Sequence, residues 1–241
     1  MKTVCILTRY NEYIDWVQGI LKYVDYIYIY NKGSNTKLFK SLVLSEDDLK
    51  KIQIQTLPNI GRIDHSIAYH ITKNWENLDD IIISLPGSVL MCAKKGAYLN
   101  MVIRNIKNIK SKYNGFYSPR FHKTTENFTY NINNYMAEGL CNRNNNLFIK
   151  SEYPDFQAWK IAIVDVLPMK YLAMRGMFIV CKENIKHISK EIYDNLVISL
   201  SVGDNIENGH FAERIWAHLF RQYDNVGCDV DNHILLQYVP I

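Results

Sequence analysis

No stretch of the sequence approaches the roughly 18 consecutive apolar residues of a membrane-spanning helix. The short apolar run at Met1 to Thr8 is not followed by a small-residue cleavage site, so a secretory signal is not expected either. These absences lead to the expectation of a cytoplasmic protein without a transmembrane segment. The five cysteines, Cys5, Cys92, Cys141, Cys181 and Cys228, form an odd set with no CxxC pair and no matching His spacing. Neither a disulfide framework nor a zinc site is expected, and buried reduced thiols are. No GxGxxG follows the first apolar run, which disfavours a dinucleotide-binding dehydrogenase and, less firmly, a methyltransferase. The formal charge is only +4, and the Lys and Arg residues are scattered without forming a stripe, so nucleic acid is not an expected partner. Internal repeats, heptads and Pro/Gly/Ser linkers are also missing.

What is present is a chain of 241 residues, 48% hydrophobic, long enough for one large core. Thr3 to Thr8 is nearly continuous in apolar character, as a strand covered on both faces requires. Ile14, Val17, Leu21 and Val24 then recur at helical spacing, and Tyr26 to Tyr30 is a β-branched and aromatic run that ends in Asn31, Lys32 and Gly33. Ile52, Ile54 and Thr56 alternate with Gln53 and Gln55, the pattern of a half-exposed strand. A helix is expected over Gly61 to Asn74, and Ile81 to Leu85 reads as the most buried strand, closed by Pro86 and Gly87. Further helices are expected at Gly96 to Ile109, Ile185 to Leu200 and Gly209 to Phe220, with a strand at Met177 to Cys181 and long loops from Lys123 to Ser151. The series is βαβ. It implies an α/β single domain with a mostly parallel central sheet flanked by helices, Thr3 to Thr8 and Ile81 to Leu85 being its central strands.

In such sheets ligands bind beyond the carboxyl ends of the strands. Four polar segments fall there: Thr8-Arg9-Tyr10-Asn11-Glu12, Tyr30-Asn31-Lys32-Gly33, Leu57-Pro58-Asn59-Ile60-Gly61-Arg62 and Pro86-Gly87-Ser88. Ordinary polar loops explain each segment taken alone, and their coincidence at several strand ends is what a nucleotide site needs.

The same residues carry a resemblance. The sequence RYNE followed by Asp15-Trp16, then YNKG, then LPNIGR with His65 three residues on, and finally His210-Phe211-Ala212-Glu213-Arg214-Ile215-Trp216 look like the uncharacterised family DUF3431, in order from Arg9 to Phe220. That family in turn resembles the GT-A glycosyltransferases, the nucleotide-diphospho-sugar transferases, which carry a similar YNE signature beside the donor nucleotide. The resemblance implies one GT-A-like domain over residues 1–241, with a nucleotide-binding half at 1–110 and an acceptor half at 111–241. It also implies a nucleotide sugar as donor and a glycan or protein hydroxyl as acceptor. The implied donor-binding residues are Thr8, Arg9, Asn11, Glu12, Asn31, Lys32, Gly61, Arg62 and His65, and the implied catalytic residues are Glu213 and His210.

Two helices can be read independently of the family. Gly61 precedes a helix whose free N–H groups and dipole favour an anion, and Arg62 is placed to pair a diphosphate in a bidentate manner. Arg62, His65, Ser66 and Tyr69 share a face there, while a solvated basic helix start with a hydrogen-bonded His65 explains the same residues. In the last helix Phe211, Ile215 and Leu219 form the core stripe, and His210, Glu213 and Arg214 lie on another face. A carboxylate in that setting can act as a general base, and a structural Glu213-Arg214 pair accounts for it equally. One departure from the GT-A pattern concerns metal. A divalent ion, Mn or Mg, usually needs an Asp-x-Asp after a core strand, but Asp79 and Asp80 precede Ile81 to Leu85 and no acid follows it. Glu12, Asp155, Asp165 and Glu213 are the alternative ligands. Two functions remain open, a glycosyltransferase and a non-catalytic nucleotide- or carbohydrate-binding module of the same fold.

Overall fold

The computed structural model describes residues 1–91, 93–124, 128–130, 132, 148–165 and 167–220. Its strands are β1 (Thr3–Arg9), β2 (Tyr26–Asn31), β3 (Ile52–Thr56), β4 (Ile81–Pro86), β5 (Phe116–Tyr117), β6 (Phe121–Lys123), β7 (Tyr171–Ala173) and β8 (Phe178–Cys181). The helices are α1 (Gln18–Leu21), α2 (Glu46–Lys50), α3 (Arg62–Lys73), α4 (Ala93–Asn105), α5 (Ile109–Tyr113), α6 (Phe156–Ile163), α7 (Lys182–Lys186), α8 (Lys190–Ser199) and α9 (Glu207–Phe220).

Six strands form the main sheet in the order β3-β2-β1-β4-β8-β5, and β6 pairs with β7 separately. The pairs β1–β2, β1–β4 and β2–β3 are parallel, whereas β8 runs antiparallel to both β4 and β5. The protein is therefore α/β with a mostly parallel central sheet flanked by helices, and β1 and β4 lie next to each other inside it. The reason is compositional. Every residue of β1 is buried, as is every residue of β4 up to Leu85, and only an interior position covers both faces of a strand. Alternation along β1 sends Val4 and Ile6 into a core beneath α3, α6, α8 and α9, and Cys5 and Leu7 into a second core beneath α1 and α4. By contrast, β3 keeps Gln53, Ile54 and Thr56 exposed and takes an edge.

Several expected elements differ in detail. The helix expected from Ile185 to Leu200 is two helices, because Ser189 is extended (φ −69°, ψ 150°) and His187 Nδ1 bonds back to the carbonyl of Asn184. The periodicity from Ile14 to Val24 is a 3-10 turn, Asp15–Val17, running into the single-turn α1. The helix expected at Gly96 to Ile109 begins at Ala93, passes through a 3-10 turn at Ile106–Asn108 and continues as α5. Helix α6 was not expected; Asp155 caps it by accepting from the Ala158 amide at 2.9 Å. Most of the segment from Lys123 to Ser151, expected as long loops, lies outside the described residues; Ile149 within it forms a bridge with Ile206. Among the described residues no helix is long and apolar enough to cross a membrane.

The sheet's carboxyl edge is assembled by close backbone approach. A Cβ on Gly33 would lie 1.6 Å from the carbonyl oxygen of Tyr10 and 2.2 Å from Asn11 Oδ1, so only glycine lets the turn after β2 pack on the turn after β1. Gly33→Ala is expected to lower the unfolding free energy by about 3 kcal/mol, the upper range of overpacking costs, measured from urea-denaturation midpoints. An unchanged midpoint would show that the two turns are not packed in this way.

Candidate functional site

Where the strand order reverses between β1 and β4, the carboxyl ends of these strands open into a cleft of about 560 Å³. This is the position at which ligands of open α/β sheets bind. Thr8 and Arg9 line it from β1, Pro86 from β4, Lys32 from the turn after β2, and Asn59 from the segment after β3. Arg62, Ile63 and Asp64 come from the first turn of α3, Glu213 and Arg214 from α9.

Seven basic residues, Arg9, Lys32, Arg62, Lys95, Arg120, Arg175 and Arg214, line this one cleft with three acids, Glu12, Asp64 and Glu213. Cations dispersed along the sequence are gathered in space by the convergence of strand ends, and a cleft so charged favours an anionic ligand.

The expected donor residues divide into two groups. Thr8, Arg9, Glu12, Lys32 and Arg62 line the cleft, whereas Asn11, Asn31, Gly61 and His65 stand behind it. Arg9 is 1% exposed. Its Nε donates to the Glu12 carbonyl at 2.9 Å, and its Nη1 donates to Asn31 Oδ1 at 2.9 Å and to the Asn35 carbonyl at 2.8 Å. Asn11 Oδ1 accepts from the Asn35 amide at 2.9 Å, and Asn31 Nδ2 donates to the Gly33 carbonyl at 3.0 Å. These residues build the floor. Gly61 is glycine because a Cβ there would lie 2.4 Å from the Leu200 carbonyl, a packing reason at the end of α8. His65 is buried and stacks on Tyr69 with ring centroids 6.1 Å apart.

Arg62 has φ of 54°, outside the ordinary helical region for a side chain of its size. Its Nη1 lies 2.7 to 2.8 Å from the ring nitrogens of His210, so a neutral imidazole accepts from it. Burial, and then the charges of Arg62 and Arg214, push His210 down to about 2 and keep it in that neutral state. His210 therefore reaches the cleft through Arg62. Glu213 shares the cleft with Arg62, and its Oε1 accepts the backbone N–H of Arg175, a residue with φ of 72°. Arg214 donates to the His210 carbonyl at 2.6 Å and stacks over the Tyr130 ring at 3.5 Å.

Lys32 is buried, and its Nζ donates to the carbonyls of Ile60 and Arg62, each at 2.5 Å. Burial pulls its pKa down to about 7, with the Asp64 charge opposing. Asp64 went unnoticed in the sequence, as did Lys95, Arg120 and Arg175. Its carboxyl is 1% exposed, and burial followed by the Glu213 charge raises it to about 7, against the Trp216 bond and Arg62. One signal pointed to it: Asp64 stands at i on the stripe that continues through Ile67, Ala68 and Ile71, an acid on an otherwise apolar face.

Among the described residues no group of three or more His, Cys, Asp or Glu side chains is placed to hold a metal ion. Of the four alternative ligands, Asp155 caps α6 and Asp165 accepts from Lys160 and His218, while Glu12 accepts the Tyr10 amide and Glu213 that of Arg175. Among the described residues these acids therefore assemble no set that fits a divalent ion. Asp79 and Asp80 bind Lys2 at the opposite end of β4.

No protein-family model and no curated protein matches the chain. The resemblance to DUF3431 therefore stands on its motifs alone.

The buried histidines set a pH dependence. Burial pushes His65 down to about 4 and His70 to about 3, with Lys32 and Lys73 adding to it, as His210 is pushed to about 2. A histidine kept neutral in the fold contributes stability that is full above its unfolded value near 6.5 and is lost as pH falls. Asp64, raised to about 7, acts oppositely between about pH 4 and 7. Three protons taken up by the unfolded histidines against one released by Asp64 leave a net uptake of about two. Unfolding free energies measured in urea should therefore fall on acidification near pH 5, by about 3 kcal/mol per pH unit from these four groups. A flat or opposite slope contradicts the burial of these groups.

Proposed function

We propose that the protein is a GT-A-type glycosyltransferase that moves a sugar from a nucleotide-sugar donor to a hydroxyl of a glycan or protein acceptor. The observation that carries this reading is the cleft at the β1/β4 reversal, in which cationic side chains and the carboxylates of Asp64 and Glu213 meet. Sugar transfer makes two demands there. The departing diphosphate must have its charge stabilised, and the incoming hydroxyl must lose a proton. Arg62, set at the start of α3 and braced by neutral His210, is aimed at the first task, with Lys32 beside it. The carboxylates are suited to the second. Tyr10, 41% exposed on the cleft rim, offers a ring on which a nucleobase can stack. The acids among the described residues form no group that fits a metal, and the demands are met here by the cations and carboxylates of the cleft.

A second reading, a nucleotide- or carbohydrate-binding module without turnover, is favoured by one observation: Glu213 already serves the Arg175 amide. The two are separated by incubating the full chain with UDP-, GDP-, TDP- and ADP-sugars and recording both melting temperature and released nucleotide. A rise in melting temperature with nucleotide release supports the transferase, because a ligand that binds only the folded state stabilises it. A rise without release on any acceptor supports the module, and no rise with any of them overturns both.

Arg62→Ala should weaken binding of the free nucleoside diphosphate about 10- to 100-fold, the worth of a hydrogen bond to a charged group of roughly 1.5 to 3 kcal/mol. Isothermal titration checks this, and unaltered affinity would remove Arg62 from the donor site.

A further inference from the structure

Asp64 has an unusual environment for a carboxylate. It sits in the first turn of α3, on the stripe of Ile67, Ala68 and Ile71 that packs beneath the sheet, and is 1% exposed. A buried carboxyl is costly unless its oxygens are bonded. Oδ1 accepts from Trp216 Nε1 of α9 at 2.7 Å. Oδ2 is buried and has no hydrogen-bond partner among the described residues, while Asp64 itself lines the cleft. A buried oxygen without a partner, on a residue that lines a polar cleft, is the acceptor that a group arriving with a ligand would satisfy.

Glu213 differs. Its Oε1 accepts the Arg175 amide and its Oε2 lies 3.9 Å from Arg214 Nη1. Arg175 and Gly176 both have positive φ, at 72° and 59°, so the turn between β7 and β8 takes a conformation that needs holding. Glu213 holds it.

We propose that Asp64, and not Glu213, takes the proton from the attacking acceptor hydroxyl, and that Glu213 is a positioning residue that fixes the 174–176 turn on the cleft wall. The proposal rests on the transferase reading. In the step, the hydroxyl proton passes to Asp64 Oδ2 and the hydroxyl oxygen forms a bond to the anomeric carbon. The bond from that carbon to the diphosphate oxygen breaks, and its electron pair leaves with the nucleoside diphosphate beside Arg62. Asp64 then gives the proton to water as the products leave.

The surroundings suit this role. Arg62 on the same helix, Glu213 and Trp216 from α9 and Lys32 from the turn after β2 are the charged and polar groups that act on Asp64. Burial first, and then the Glu213 charge, raise its pKa to about 7 against the Trp216 bond and the Arg62 charge, close to where a general base works best at neutral pH. Transfer should rise with pH through that value and level off above it, since the base must be ionised.

The test uses Asp64→Asn and Glu213→Gln in the full chain, with whichever of the UDP-, GDP-, TDP- and ADP-sugars the unmodified protein turns over fastest. Asparagine keeps an oxygen for Trp216, so the fold is expected to persist. Asp64→Asn should cut kcat by about 10²- to 10⁴-fold with the nucleoside diphosphate Kd changed less than about threefold, whereas Glu213→Gln should lower the melting temperature and reduce kcat far less. A second measurement needs no donor: the infrared band of a protonated carboxyl in the unmodified protein should titrate near neutrality and vanish in Asp64→Asn. A band that titrates without turnover of any donor counts against the transferase reading and leaves Asp64 as a proton-holding group. Turnover retained in Asp64→Asn, or a glycosyl adduct trapped on Asp64, overturns the proposal.

Discussion

The buried guanidinium of Arg9 is the fixed point of this structure. It stands at the end of β1, almost fully out of water, and is satisfied by the Glu12, Asn35 and Lys37 carbonyls and by Asn31 Oδ1. Burial lowers its pKa from the ordinary arginine value, with the charge of Glu12 opposing, and the ring of oxygen acceptors offsets the cost of desolvating it. Planar and rigid, the guanidinium fixes the directions of the chains around it. The turn after β1 and the loop after β2 are thereby drawn together, and the Lys32 amide completes the junction by donating to the Arg9 carbonyl at 2.8 Å. A Cβ on Gly87 would lie 2.7 Å from the Cβ of Arg9, so the end of β4 closes on the same residue. Three strand ends meet around one side chain, and the cleft is the space left above it.

The sheet was legible in the sequence because a strand covered on both faces must be apolar throughout. Val4 to Leu7 and Ile81 to Leu85 could hardly lie anywhere but the centre, and Gln53 and Gln55 marked β3 as exposed. Short elements were not legible: β5 and β7 have two and three residues, too few for a period, and their pairing comes from tertiary packing. The break between α7 and α8 was hidden for a related reason, since Ile185 and Leu196 belong to one apolar face on either side of it.

The site was legible by position and only partly by role. Polar residues at strand ends pointed to the edge of the sheet where the cleft opens, and Arg62 and Glu213 both line that cleft. Whether a polar residue faces the ligand or supports the wall depends on its hydrogen-bond partners, which sequence spacing does not encode. Asn31 and Arg9 satisfy each other, and Asn11 is committed to Asn35. Arg120 and Arg175 arrive from short strands whose pairing had no sequence signal.

Helix α9 shows how the cleft's chemistry is tied to the core. Phe211, Ile215, Leu219 and Phe220 are buried beneath the sheet, which fixes the rotation of the helix. With that rotation fixed, residues three apart leave the helix on one side. His210 reaches Arg62, Glu213 reaches the Arg175 amide, and Trp216 reaches Asp64. Two of these partners belong to the first turn of α3 and the third to the turn before β8, so one helix positions two walls of the cleft at once. A shift of α9 by a fraction of a turn would release Arg62 from its neutral brace, free the positive-φ turn and strip Asp64 of its only side-chain donor in the described structure. The apolar packing of α9 is thus a condition for the electrostatics of the site: it keeps a cation, a turn and a buried carboxyl in register without itself touching a ligand.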